Sequence, residues 1–152
     1  QYKPGRYPQP SLTVDIILLA RAEGALRVLL VRRGGHPYLG CWALPGGFAE
    51  PQETTAQAAA RELAEETHAQ GLALTPIGLF STPGRDPRGW TISHAFAALA
   101  DAAALDIRAD DDAADARRDT PFGEDIVCTP LRQDGLAFDH SAILCTALLR
   151  LR

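Results

Sequence analysis

An α/β architecture in a single domain is what this sequence predicts, on three observations. Runs of β-branched and large aliphatic residues open the chain, from Leu12 to Ala20 and again from Leu26 to Arg33. The period then changes between Thr54 and Thr67, where Ala56, Ala59, Ala60, Leu63 and Thr67 recur at helical spacing. The length of 152 residues, with 46% hydrophobic and 22% charged side chains, suits one globular core and excludes a disordered or fibrous chain.

The elements follow in order. Residues 1–10 contain Pro4, Pro8 and Pro10 and read as an extended arm ahead of a single domain over 11–152. Glu23-Gly24 marks a turn between the first two apolar runs, giving a strand, a hairpin and a strand. Trp42-Ala43-Leu44 is a short apolar piece that Pro45-Gly46-Gly47 should stop. The helix from Thr54 to Thr67 has Thr54 or Thr55 as its N-cap and Gln70-Gly71 as its expected end. Leu72 to Ser81 and Trp90 to Leu99 read as strands around a Pro/Gly-framed loop. Asp110 to Thr120 is polar and ambiguous, Pro121 to Gly135 reads as irregular, and Asp139 to Leu151 closes as an amphipathic helix with Asp139 or Ser141 near its cap.

Nineteen acidic against fifteen basic residues give a net charge of -4. That balance exerts no overall pull toward nucleic acid or anionic lipid, so neither is expected as a partner. Cys41, Cys128 and Cys145 are odd in number and far apart, as expected of small buried side chains in a reducing compartment rather than of a zinc or disulfide set. No apolar run approaches the roughly 18 residues of a membrane span, and the proline-rich start does not read as a signal peptide. A cytoplasmic protein is expected.

The helix carries Glu62, Glu65 and Glu66 at i, i+3 and i+4, on one face. Glu62 and Glu66 fall on the shoulder of the alanine and leucine stripe, where a cleft can form. Two such charges repel by about 3 kcal/mol at an effective dielectric of about 20, and a divalent cation removes the conflict. Oxygen ligands without nearby His or Cys favour magnesium or manganese, which share coordination with substrate phosphates. A solvated acidic stripe is the competing reading of these three residues alone.

The wider pattern decides between them. Gly47, five residues, Glu53, seven residues and then Arg61-Glu62-Leu63-Ala64-Glu65-Glu66-Thr67 closely resembles the signature of the Nudix hydrolases, G-x5-E-x7-R-E-U-x-E-E-x-G-U, where U is bulky and aliphatic. His68 replaces the second glycine and Ala69 the last aliphatic residue. The resemblance implies an α/β/α sandwich around a mixed sheet, with Mg2+ (or Mn2+) held by Glu62, Glu65, Glu66 and the Gly46 carbonyl. It casts Glu62 or Glu66 in catalysis, with Glu53 paired to Arg61. Pro10 to Asp15, Trp42 to Glu50, Pro83 to Trp90 and Leu136 to His140 look like the bacterial ADP-ribose pyrophosphatase branch, which implies AMP and ribose 5-phosphate as products and a homodimer.

Other residues have competing readings. Arg85 and Arg88, in the loop from Thr82 to Gly89, are candidates for gripping phosphate or candidates for a rigid corner, with Asp86 pairing to one of them. Arg33, following the second strand, is a similar substrate-binding candidate. Phe48 is a candidate for stacking on a base, Trp42 for packing. Asp112 and Asp115 stand in an acidic run that resembles the loop supplying a further ligand or general base in the family, although Arg118 replaces the tryptophan usual there. Asp139, His140 and Ser141 are adjacent and cannot converge as a triad, and no P-loop is present.

Two rivals stand beside ADP-ribose hydrolysis. One keeps the chemistry but takes an oxidised or pterin nucleoside triphosphate or a dinucleotide. The other is a non-catalytic ADP-ribose sensor, which is disfavoured by the intact carboxylates and by a chain that stops at Arg152 without a DNA-reading domain. The charge has an address in either case. Residues 47–69 hold five glutamates against Arg61, equal to the whole chain's -4, and the remainder is balanced.

Overall fold

The computed structural model describes residues 1–22, 24–101, 126–130 and 135–151. Seven strands form one mixed sheet: β1 (Ser11–Ala22), β2 (Ala25–Arg32), β3 (Trp42–Ala43), β4 (Gly46–Phe48), β5 (Thr75–Phe80), β6 (Thr91–Asp101) and β7 (Ile126–Pro130). Two helices complete it, α1 (Thr55–Thr67) and α2 (His140–Arg150). The main strand order is β3-β2-β1-β6-β5, with β4 also on β1 and β7 also on β2.

β1 is the spine. It runs parallel to β6 from Ser11↔Thr91 to Arg21↔Asp101, while its other edge is divided. Thr13, Val14 and Asp15 pair with β4, and Leu19 to Ala22 pair with β2. Its unbroken apolar run is that of a strand covered on both faces. Val14, Ile16, Leu18 and Ala20 pack with Ala58, Ala59 and Leu63 of α1. Ile17 and Leu19, pointing the other way, pack with Ile143, Leu144 and Ala147 of α2. Each fully buried Ile or Leu contributes about 2 kcal/mol. The result is an α/β/α sandwich, and among the described residues no helix is long and apolar enough to cross a membrane.

Helix α1 starts in a capping box, with the Thr54 hydroxyl accepting from the Gln57 N–H and the Gln57 side chain accepting from the Thr54 N–H. Three details differ from the sequence expectation. The helix ends at His68 rather than at Gln70-Gly71, because His68 takes the left-handed conformation, φ 59°. Gly46-Gly47 does not stop a strand but forms one, since it lies flat against β1. Within Pro121 to Gly135, Ile126–Pro130 is a strand paired antiparallel to β2, a contact bridging about a hundred residues that local composition does not encode.

Candidate active site

The division of β1's outer edge sets the site. The Ile16 N–H donates to the Pro45 carbonyl at 2.8 Å, and β4 is held close enough that a Cβ on Gly46 would collide with the Val14 carbonyl oxygen and Asp15. A Cβ on Gly47 would collide with the Glu62 carboxylate. Gly46 is therefore required by the close approach of the β1 backbone, whereas a side chain at Gly47 would displace the Glu62 carboxylate.

Arg61 organises the acidic wall. Its Nε and Nη2 donate to Glu53 at 3.1 and 2.7 Å, its Nη1 to Glu62 at 2.9 Å, and its Nη2 also to the Phe48 carbonyl at 3.2 Å. Glu53 in turn accepts the Glu50 N–H at 2.6 Å, which ties the loop before α1 to the helix. These bonds from Arg61 hold the Glu53 carboxyl below the usual carboxylate range, and the same partners raise the guanidinium's pKa. Burial pushes the Glu62 carboxyl up despite Arg61, with Glu65 and Glu53 adding to the rise. Such a group gains from a cation that compensates its desolvation.

Behind this wall lies a second, buried acid. Asp15 accepts from the Ser93 hydroxyl at 2.5 Å and lies 3.2 Å from His140 Nε2 and 3.8 Å from Arg85 Nη2. The Leu44 N–H donates to His140 Nδ1 at 2.9 Å, which leaves the ring proton on Nε2, facing Asp15. Burial opposes ionisation of Asp15, but His140, Ser93 and Arg85 outweigh it and hold the carboxyl below 3.8.

Asp15, Glu62, Arg85 and His140 line a cleft of about 370 Å³, together with Thr13, Arg33, Leu44, Gly46, Gly47, Phe48, Glu66, Asp86, Arg88 and Phe138. Arg33 Nε donates to the Pro37 carbonyl at 2.8 Å. Arg88 is held by Asp86, its Nη2 at 2.7 Å, and its guanidinium lies 5.1 Å from the Phe48 ring centroid. The cleft thus has both acids from α1 and guanidiniums in its lining.

Of the residues singled out in sequence, Glu62, Glu66, Gly46, Phe48, Arg33, Arg85 and Arg88 all line this cleft, and Glu53 and Arg61 brace it. Glu65 does not line it. Its side chain is 56% exposed, 3.5 Å from Arg61. Arg85 is not free to grip a ligand as a surface guanidinium would, because its side chain is 5% exposed and bonded to both Asp139 oxygens, at 2.8 and 2.6 Å. Asp112 and Asp115 lie outside the described residues. Asp15, Ser93, Asp139, His140 and Phe138 were not singled out for the cleft. The available signals were a lone acid inside the apolar run of β1 and the Leu136 to His140 motif.

For a divalent metal the donors offered are Glu62, Glu66 and the backbone of Gly46, all oxygen, and bare Gly47 leaves room for the Glu62 carboxylate that a side chain would fill. Among the described residues no three His, Cys, Asp or Glu side chains form a closed cage. An open, carboxylate-poor oxygen site suits an ion that keeps its waters and shares substrate phosphates, so these residues fit magnesium or manganese.

An α/β/α sandwich with helix-borne carboxylates and guanidiniums lining one cleft has the side chains that phosphoanhydride chemistry with a divalent metal calls for. The family model of the NUDIX domain matches residues 9–124, and the chain belongs to the Nudix hydrolases. It is 38% identical to the ADP-ribose pyrophosphatase of Methanocaldococcus jannaschii over 138 residues, covering 91% of this chain and 73% of that protein. It is 31% identical to the ADPR responsive transcriptional repressor NtrR of Acinetobacter baylyi, covering 99% of this chain but 58% of the repressor. Among solved structures it resembles the NUDIX domain of Shewanella oneidensis NrtR complexed with ADP ribose, with TM-score 0.82, 32% identity and coverage of 99% and 94% of the two chains.

Proposed function

We propose that this chain hydrolyses the phosphoanhydride of a nucleoside diphosphate linked to another group, with ADP-ribose as substrate and AMP and ribose 5-phosphate as products. The observation that carries this is that one cleft is lined both by Glu62 and Glu66 of α1 and by Arg33 and Arg88. A diphosphate needs both, cations on its oxygens and carboxylates that would hold a divalent metal. Water adds to one phosphorus, the bridging P–O bond breaks, and the departing phosphate takes the electron pair. Glu62, Glu66 and the Gly46 carbonyl would hold magnesium or manganese, which would supply charge neutralisation and activation of water. Glu53 and Arg61 hold the α1 wall in register, and Glu65 lends charge at its rim. Asp115, by family resemblance, is the proposed general base alongside Glu62. The reading includes a cytoplasmic homodimer whose partner is a small nucleotide rather than nucleic acid.

Incubation with ADP-ribose and Mg2+ tests it by following AMP and ribose 5-phosphate. Glu66→Gln should lower kcat by at least about 100-fold, in line with loss of a group used in the transition state. Absence of turnover by the parent, or full activity in the variant, overturns it. The repressor relative and the ADP ribose complex of its kind favour a second reading, ligand binding without hydrolysis. Calorimetric binding of ADP-ribose without product formation would select that one.

A further inference from the structure

Phe138 stands out on three independent counts. It is a non-glycine residue held at φ 52°, in the left-handed region that costs an L side chain about 1–2 kcal/mol. Its ring lines the cleft. Two guanidiniums from distant segments meet it, Arg33 from the end of β2 at 4.9 Å and Arg88 from the loop before β6 at 5.4 Å from the centroid. Tyr38, at 4.7 Å between centroids, and His140, at 5.4 Å, buttress the same ring.

Each arginine is hydrogen-bonded through one side only, and Arg88 also lies 5.1 Å from the Phe48 centroid. Arg33 uses Nε on the Pro37 carbonyl, and Arg88 uses Nε and Nη2 on Asp86. Among the described residues, both terminal nitrogens of Arg33 and Nη1 of Arg88 have no protein acceptor, and both side chains border the cleft that Glu62 also lines. An aromatic face attracts a guanidinium while leaving its in-plane N–H groups able to donate outward.

We propose that Phe138 is a positioning residue that gathers Arg33 and Arg88 into a two-guanidinium clamp for the diphosphate of the substrate. This rests on the phosphoanhydride reading above and adds a determinant of diphosphate recognition outside the carboxylate helix. Two forks held on one ring meet two phosphoryl groups, whereas a single phosphate can engage only one of them fully. The strained backbone persists because it aims the ring between the two arginines.

The test uses the full chain with Mg2+ and two probes, inorganic pyrophosphate and adenosine, as inhibitors of ADP-ribose hydrolysis and as ligands in calorimetry. Phe138→Leu, with Phe138→Met as a second apolar replacement, should raise KM and weaken pyrophosphate binding about tenfold, with kcat changed less than about twofold. Phe138→Tyr, which keeps the π face, should restore both to within about threefold. Adenosine binding should not move. Thermal melts of each variant separate loss of fold from loss of the clamp. Unchanged pyrophosphate binding in Phe138→Leu and Phe138→Met overturns the proposal, as does weakened adenosine binding with pyrophosphate intact, which would make the ring a base platform. A parent that binds no pyrophosphate also overturns it. A parent that binds pyrophosphate through Phe138 yet hydrolyses nothing leaves the clamp standing and defeats only the catalytic reading.

Discussion

Replacing His68 by glycine should make the protein more stable. His68 caps α1 at φ 59°, with its N–H donating to the Ala64 carbonyl at 2.9 Å, and its side chain is exposed. Holding an L residue there costs about 1–2 kcal/mol, and histidine, tolerated there better than most, lies toward the lower end. Glycine removes that cost but gives up about 0.4–1 kcal/mol through the greater freedom of the unfolded chain. The net gain is about 0.5 kcal/mol, or roughly 1–2 °C in Tm for a domain of this size. Urea unfolding measures it. The midpoint should rise at constant slope. His68→Ala keeps the Cβ and should gain nothing. If glycine gives no rise, or alanine matches it, the cap does not carry the strain assigned to it.

Two further outcomes follow from the cleft. Gly47→Ala places a Cβ against the Glu62 carboxylate, so kcat should fall at least about 100-fold while the fold persists; a steady-state assay beside a thermal melt checks it, and near-normal turnover would contradict the close approach. Asp15→Asn removes the charge that Ser93, His140 and Arg85 surround, at a cost of about 3 kcal/mol. The pH dependence has a definite sign. With its folded carboxyl held below 3.8, Asp15 contributes stability that is present above that value and is lost as pH falls through the folded-state value. The variant should therefore lose less stability on acidification below about pH 4 than the parent does, as chemical denaturation across that range would show.

Legibility from the sequence followed the range of the interactions. Helix α1 was readable because alanine, leucine and glutamate repeat at its period and Thr54 caps it within one turn. Its end was not, because Thr67 bonds back to the Leu63 carbonyl and also accepts from the Ala69 N–H, closing the turn before the glycine that looked like a stop. Gly46-Gly47 reads locally as a breaker and becomes a strand only because β1 and Glu62 lie against it. The same limit governs the site. Carboxylate spacing on one helix can be counted, so Glu62 and Glu66 could be set on one face, and both line the cleft. Arg85 reads equally as a phosphate grip or a rigid corner, because its acceptor, Asp139, is 54 residues away.

The parallel pairing of β1 with β6 also orders events in time. Ser11 and Thr91 are about eighty residues apart, so during synthesis the first strand emerges long before the partner that runs along its full length. The hairpin with β2 shields only the Leu19 to Ala22 end. Ile17 and Leu18, between the stretches that β4 and β2 cover, therefore wait for their strand partner until the chain has been made past Ala98. Long-range parallel pairing is slow and leaves such segments open to association with other chains. The strand that later fixes Asp15 and β4 at the cleft is, in the nascent chain, the part most exposed to aggregation.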